Sequence, residues 1–228
     1  NTSGNSVASI LASASGTRLT DVDGDPLGIA VIGTTGGDGY YSYWQYSTNG
    51  GGSWSDMDYY GSVSTSNALL LNSTDLIRFV PDAMNGVSNA SIRFYGWDGT
   101  NAAAHTYADG STTGGNSAFS TAYEDATIIV SDVNDAPYIN SGTTYLNMID
   151  EDQVNNSGET ISSVTSNYTD VIDDVDTAAL EGVAITALNS GNGTWQYSVN
   201  AGSSWSSVGV VSDNSALLLR GIDRIRFV

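Results

Sequence analysis

Trp44-Gln45-Tyr46-Ser47-Thr48-Asn49-Gly50-Gly51-Gly52-Ser53-Trp54 reads as one arm of a β-hairpin, a glycine-rich turn and the start of the returning arm. The pattern returns as Trp195-Gln196-Tyr197-Ser198, a turn at Asn200-Ala201-Gly202, and Ser204-Trp205, an offset of 151. Outward from the hairpin the match continues. Asp21-Val22-Asp23 recurs as Asp174-Val175-Asp176 at 153, Ala68-Leu69-Leu70-Leu71 as Ala216-Leu217-Leu218-Leu219 at 148, and Ile77-Arg78-Phe79-Val80 as Ile225-Arg226-Phe227-Val228, again at 148. The drift is a few residues lost in loops, so the chain holds parts of two copies of a unit of about 150 residues. Asn1 to Ile10 aligns with Asn155 to Val164. Residues 1–135 therefore form a copy that lacks its first ~20 residues, and 136–228 form a second copy that lacks its last strands. That phase predicts a segment of a longer tandem array, or partial units completed by neighbouring copies.

Between these landmarks the chain is a series of short β-forming runs separated by Gly, Asn, Ser and Asp, with no long 3.6-residue stripe. Strands are predicted at Val7 to Leu11 and Ile161 to Val164, at Leu27 to Ile32 and Val183 to Leu188, at Tyr43 to Ser47 and Trp195 to Ser198 as the first hairpin arms, and at Ala68 to Leu71. Leu76 to Val80 follows, with Ile77 and Phe79 on one face and Arg78 on the other. Ser91 to Trp97 and Thr121 to Ser131 would be the last two strands, and the Gly, Ala, Ser and Thr-rich residues 98–118 between them read as a long loop or floppy hairpin. About seven strands in about 130 residues predict an all-β chain of tandem immunoglobulin-like β-sandwich domains.

Composition narrows the partners. Twenty-five acidic residues stand against six basic ones, all arginine, for a net charge of -19, and both copies are acidic. This speaks against nucleic acid and anionic membranes and favours cations or a very soluble surface. Cysteine is absent, which removes disulfides, thiol nucleophiles and thiolate metal sites. No apolar run approaches the ~20 residues of a membrane span and no basic-then-apolar leader opens the chain, so an interior segment of a mature protein is expected.

The candidate chemistry lies in the carboxylates. Asp21, Asp23 and Asp25 alternate in one turn, Asp173, Asp174 and Asp176 occupy the matching place, and Asp150, Glu151 and Asp152 form a third cluster. Crowded like charges repel, and a bound cation would relieve that cost; the alternative is that such turns use Asp for local hydrogen bonds. Asp132-Val133-Asn134-Asp135-Ala136-Pro137 joins the copies as a stiff connector rich in oxygen. Hard cations such as Ca²⁺ take six to eight oxygens, so the connector supplies only part of a site.

Other residues weigh less. Trp44 and Trp195 read as core tryptophans. Tyr40, Tyr41, Tyr59 and Tyr60 belong to the first copy alone and would suit an aromatic platform for sugars. His105, the only histidine, sits in the long polar loop with no visible partner, and no Ser-His-Asp set, H-E-x-x-H or glycine-rich phosphate loop is present. No catalytic residue is therefore expected.

Two resemblances add to this. Ser47 to Trp54, repeated at Ser198 to Trp205, resembles the Asp-box of sialidases and related propellers with Asn in place of Asp, a folding hairpin remote from those active sites. Asp132 to Pro137 resembles the DxNDNxP linker of cadherins and bacterial cadherin-like repeats. Ile77 to Asp82, Asn85-Gly86 and Ile92 to Gly99 resemble the closing motif of those bacterial repeats. This second resemblance spans nearly the whole chain and implies cadherin-like tandem repeats of a large bacterial surface protein. It implies Ca²⁺ ligands at Asp132, Asn134 and Asp135, with Glu151 as the glutamate after the linker and Asp174 with Asp176 as the D-x-D pair. Ala136 replaces the second linker asparagine and no D-R-E motif occurs, so one or two ions are implied rather than three.

The expected function is a non-enzymatic, extracellular structural or adhesive segment: a Ca²⁺-rigidified stalk, adhesin or fibre subunit. Its partners would be neighbouring repeats, further copies in a homo-oligomer or filament, or a glycan or surface receptor. The alternative is a carbohydrate-binding module of a secreted protein.

Overall fold

The computed structural model describes residues 3–13, 19–25, 27–37, 41–57, 63–84, 86–140, 143–166 and 171–228. Among these residues nearly all regular structure is antiparallel β, with two six-residue helices, and the chain divides into two compact units, Asn1–Val133 and Asn134–Val228.

Unit 1 contains β1 (Asn5–Ser6), α1 (Val7–Ala12), β2 (Gly28–Thr35), β3 (Tyr43–Ser47), β4 (Ser55–Asp56), β5 (Ala68–Asn72), β6 (Leu76–Val80), β7 (Val87–Trp97), β8 (Tyr107–Ala108) and β9 (Phe119–Val130). They form a four-stranded sheet in the order β1-β6-β3-β4 and a five-stranded sheet in the order β8-β5-β2-β7-β9. One apolar cluster draws on both: Trp44, Ile77 and Phe79 from the first, Ile29, Val31, Leu69, Leu71, Ile92 and Phe94 from the second. Alternation along β6 puts Ile77 and Phe79 into this core and leaves Arg78 on the other face.

A second cluster occupies the far face of the five-stranded sheet, where Ala30, Ala68, Leu70 and Trp97 meet Ala118, Phe119, Ala102 and Ala104. The segment 98–118 is thus not a floppy hairpin. His105 N donates to Leu70 O (2.8 Å), Leu70 N to Thr106 O (3.0 Å) and Gly110 N to Thr65 O (2.8 Å), laying the segment over β5. The unbroken run Ala68 to Leu71 records this double coverage, since a strand buried on both faces has no polar side to alternate with.

Unit 2 contains β10 (Tyr138–Ile139), β11 (Glu159–Thr160), α2 (Ile161–Ser166), β12 (Ile172–Asp173), β13 (Gly182–Ile185), β14 (Trp195–Ser198), β15 (Ser206–Ser207), β16 (Leu217–Arg220) and β17 (Arg224–Phe227). The order β11-β17-β14-β15 repeats β1-β6-β3-β4, and β13-β16 repeats β2-β5. A smaller core gathers Ile161, Leu219 and Ile225, with Leu146, Trp195 and Tyr197 packed against it.

One expectation fails in both copies at once. Val7 to Leu11 and Ile161 to Val164 are helical, each following a two-residue strand. The hydroxyls just before them decide this: Ser9 N donates to Ser6 Oγ (3.1 Å) and Ser163 N to Thr160 Oγ1 (3.2 Å), capping each helix. The turn leading into the paired strand, β6 in unit 1 and its counterpart Arg224–Phe227 in unit 2, secures the same entry, with Val7 N donating to Asp75 O and Ile161 N to Asp223 O, both at 2.9 Å. β-propensity here yields to capping and tertiary pairing.

Candidate functional site

The recurring hairpin is built from its polar side chains upward. In unit 1, Ser47 Oγ donates to Asn49 Oδ1 (2.9 Å), Ser53 N donates to the same oxygen (2.8 Å), Asn49 Nδ2 donates to Ser53 Oγ (2.8 Å), and Gly51 N donates to Ser47 Oγ (2.9 Å). Ser198, Asn200, Gly202 and Ser204 repeat all four bonds at 2.8 to 3.0 Å. The Asn of the box is therefore consumed inside the turn, as a folding motif requires.

Behind the turn, the arginine of each closing strand lies over the returning tryptophan. Arg78 Cζ sits 4.0 Å from the Trp54 ring centre, and Arg226 Cζ 4.0 Å from that of Trp205. A glutamine on the neighbouring strand holds each guanidinium: Arg78 Nε donates to Gln45 Oε1 (2.8 Å) and Arg226 Nε to Gln196 Oε1 (2.9 Å). On the core side, Trp44 meets Phe79 at 5.2 Å and Trp195 meets Phe227 at 5.0 Å. Gly4 and Gly158 complete the motif. Both have positive φ, and a Cβ there would stand 2.6 or 2.7 Å from the indole of Trp54 or Trp205, so only glycine fits.

His105 has a partner after all. Its Nε2 lies 2.9 Å from Oδ2 of buried Asp75, which also accepts Asn72 N at 2.6 Å. In unit 2 the matching Asp223 accepts Arg220 N (2.8 Å), and the Arg220 side chain itself closes the pair (Nη2 to Oδ1, 2.9 Å). Hydrogen bonding to Arg220 holds the Asp223 carboxyl below the usual carboxylate range. These aspartates tie off the turn between two strands, and His105 replaces in unit 1 what Arg220 does in unit 2.

The carboxylates expected to bind a cation are spread across different tasks. Asp21 Oδ1 accepts from Asp23 N (2.8 Å) and Gly24 N (3.0 Å), so Asp21, Asp23 and Asp25 form a turn organised by local hydrogen bonds. Asp132 belongs to unit 1, where its Oδ1 accepts Gly86 N at 3.0 Å. Glu151 is exposed in a turn closed by Gln153 N on Asp150 O. Among the described residues no three His, Cys, Asp or Glu side chains are grouped as a metal centre would need.

The structure does bring together the start of unit 2 and the D-x-D pair. Asp174 Oδ1 accepts Asp176 N (2.9 Å), as Asp21 does for Asp23. Asp176 Oδ2 then accepts Asp135 N (2.8 Å), and Asn134 Nδ2 donates to Asp135 O (2.6 Å). Nearby, Tyr138 and Ile139 of β10 pair with Asp173 and Ile172 of β12, and Tyr138 OH donates to Asp173 Oδ2 (2.7 Å). The other oxygen of Asp176, Oδ1, is buried and has no hydrogen-bond partner. A buried carboxylate oxygen left without a donor costs free energy that a cation would recover. The Asp176 and Asp174 carboxylates, with the side-chain amide of Asn134, carry oxygens of the kind Ca²⁺ takes.

Of the four tyrosines considered for sugar binding, Tyr40, Tyr59 and Tyr60 lie outside the described residues, as does Asn85; Tyr41 is exposed. No helix among the described residues is long and apolar enough to cross a membrane. Compared with protein-family models, curated proteins and solved structures, the chain matches none. The Arg–Trp stacking and the Asp–His pair escaped sequence reading. The signal for the first was present, since Arg78 with Trp54 and Arg226 with Trp205 recur together. Nothing local pointed to the second, because Asp75 and His105 are 30 residues apart.

Proposed function

We propose that this chain is a pair of immunoglobulin-like, cadherin-like β-sandwich repeats serving as a non-enzymatic, extracellular structural or adhesive segment of a bacterial surface protein. The observation that carries this reading is the duplicated side-chain network. Hairpin, stacked arginine, paired glutamine and buried turn aspartate are each built twice, and the bonds of each are made within the fold. A fold that repeats its scaffold in tandem suits spanning distance and presenting surface.

Ca²⁺ belongs to the same proposal, held in unit 2 by Asp176 and Asp174 with oxygens of Asn134 and Asp135. The unpartnered Asp176 Oδ1 supports it. A cation there would lock the first residues of unit 2 to the 173–176 turn and stiffen the segment through which the unit is linked to the chain before it. Calorimetric titration should show Ca²⁺ uptake by the native chain and its loss in Asp176→Asn, with proteolysis around residues 134–140 slowed by Ca²⁺ and restored by EDTA. No uptake by the native chain, or uptake unchanged in the variant, would remove Ca²⁺ from the reading.

A further inference from the structure

The five-stranded sheet of unit 1 has an outer face that residues 98–118 cover only in part. The segment reaches Tyr95, whose ring lies 3.9 Å from where a Cβ on Gly110 would stand. One row further along the strands the face is open. Ile92 and Phe94 of β7 point into the core, so Arg93 between them stands on the outer face, opposite Gly33 of β2 on one side and Asp125 of β9 on the other. Its guanidinium is fixed from two directions. Nε and Nη2 donate to the two oxygens of Asp125 at 2.8 and 2.9 Å, and Cζ lies 4.2 Å from the centre of the Tyr123 ring. Among the described residues Arg93 Nη1 has no acceptor, and Tyr123 is 53% exposed.

Gly33 leaves a notch in this face. It follows a bulge, its φ lies outside the left-handed region, and a Cβ there would meet only the Cβ of Arg93, at an unstrained 3.8 Å. Neither backbone strain nor crowding demands a glycine, yet its effect is to bare the strand beside the guanidinium. The next row adds the hydroxyls of Thr35 and Ser91, 2.8 Å apart. One face thus offers an aromatic ring, guanidinium N–H donors, hydroxyls, and a carboxyl that the hydrogen bond from Arg93 holds below the usual carboxylate range. Those groups suit a pyranose ring, whose C–H face packs on an aromatic ring while its hydroxyls bond to planar charged groups. Charge decides between sugars. Arg93 and Asp125 cancel each other, and a chain at -19 repels uronic and sialic acids, so the fitting ligand is neutral.

We infer that Gly33, Arg93, Tyr123 and Asp125 form a binding site for a neutral polysaccharide, with one sugar ring over the notch and the glycan chain lying along the open face. The site gives the adhesive reading a ligand but does not depend on Ca²⁺, so its test is run in EDTA. A chain that binds no glycan would still be a structural repeat, and the two readings fail separately. Affinity electrophoresis of the native chain through gels carrying β-glucan, galactomannan or arabinoxylan should show retardation by at least one of the three, and none by polygalacturonate. Gly33→Thr, which fills the notch without crowding the sheet, should abolish that retardation at an unchanged thermal midpoint. Tyr123→Ala should weaken binding about tenfold, while Tyr123→Phe should keep it, since the ring and not its hydroxyl carries the contact. No retardation by any neutral polymer, retardation by polygalacturonate, or binding that survives both Gly33→Thr and Tyr123→Ala each overturns the proposal. Should Gly33→Thr not fold, equal binding by Tyr123→Ala and Tyr123→Phe overturns it.

Discussion

At the scale of single residues, the two copies solve the same problem with different partners. Asp75 and Asp223 are both buried at the turn between two strands, but one faces His105 and the other Arg220. For Asp223 the hydrogen bond from Arg220 is the largest effect, and it depresses the folded-state pKa. A carboxylate with a depressed folded pKa contributes stability that is fully present above its ordinary value, about 4. That contribution is lost as pH falls from there through the folded value. Arg220→Gln should therefore lower the denaturant midpoint at neutral pH and flatten its dependence on pH below about 4, read by fluorescence of the unit 2 tryptophans. An acid limb as steep as that of the native chain would show that the pair is not responsible. The pairing of His105 with Asp75 was not legible beforehand, because His105 reaches Asp75 only when residues 98–118 fold over β5. By contrast, the hairpin asparagines Asn49 and Asn200 were legible as structural, since all their partners lie within four residues.

At the scale of elements, one motif meets two fates. Ala68-Leu69-Leu70-Leu71 and Ala216-Leu217-Leu218-Leu219 form equivalent strands, β5 and β16, paired with β2 and β13. Leu70 is fully buried beneath the covering segment, whereas Leu218 is 74% exposed. Leu70→Ala should destabilise unit 1 by roughly 2–5 kcal/mol, as for other core leucines, while Leu218→Ala should stay within about 0.5 kcal/mol. Denaturant unfolding of both variants checks this; a costly Leu218→Ala would mean that the outer face of β16 is covered in solution. The strands themselves were readable from alternation and turn residues: β3 and β6 have the predicted bounds, and β5 runs one residue longer. Helices α1 and α2 were not, because six residues carry too little periodicity to compete with the β-propensity of Val7, Ile10 and Ile161. Only the capping hydroxyls of Ser6 and Thr160 signalled them.

At the scale of the whole molecule, charge governs behaviour. With -19 at neutral pH and a pI near 4.1, self-repulsion opposes compactness while keeping molecules apart. Raising NaCl from about 10 to 500 mM should raise the thermal midpoint by screening that repulsion. Light scattering should find the solubility minimum near pH 4, where the net charge vanishes; an unchanged midpoint with salt would show that the acidic residues are spaced too widely to repel. What the sequence alone determined is the β class, the doubled unit, the hairpin and the acidic surface, because each depends on composition or on contacts within a few residues. What only the tertiary structure decided is which carboxylates meet. Asp21 turns inward on its own loop, Asp132 serves unit 1, and Asp176 receives Asp135 across 41 residues while keeping one buried oxygen unpaired. A carboxylate's role depends on which donors arrive beside it, and the chain brings those donors from elsewhere only by folding.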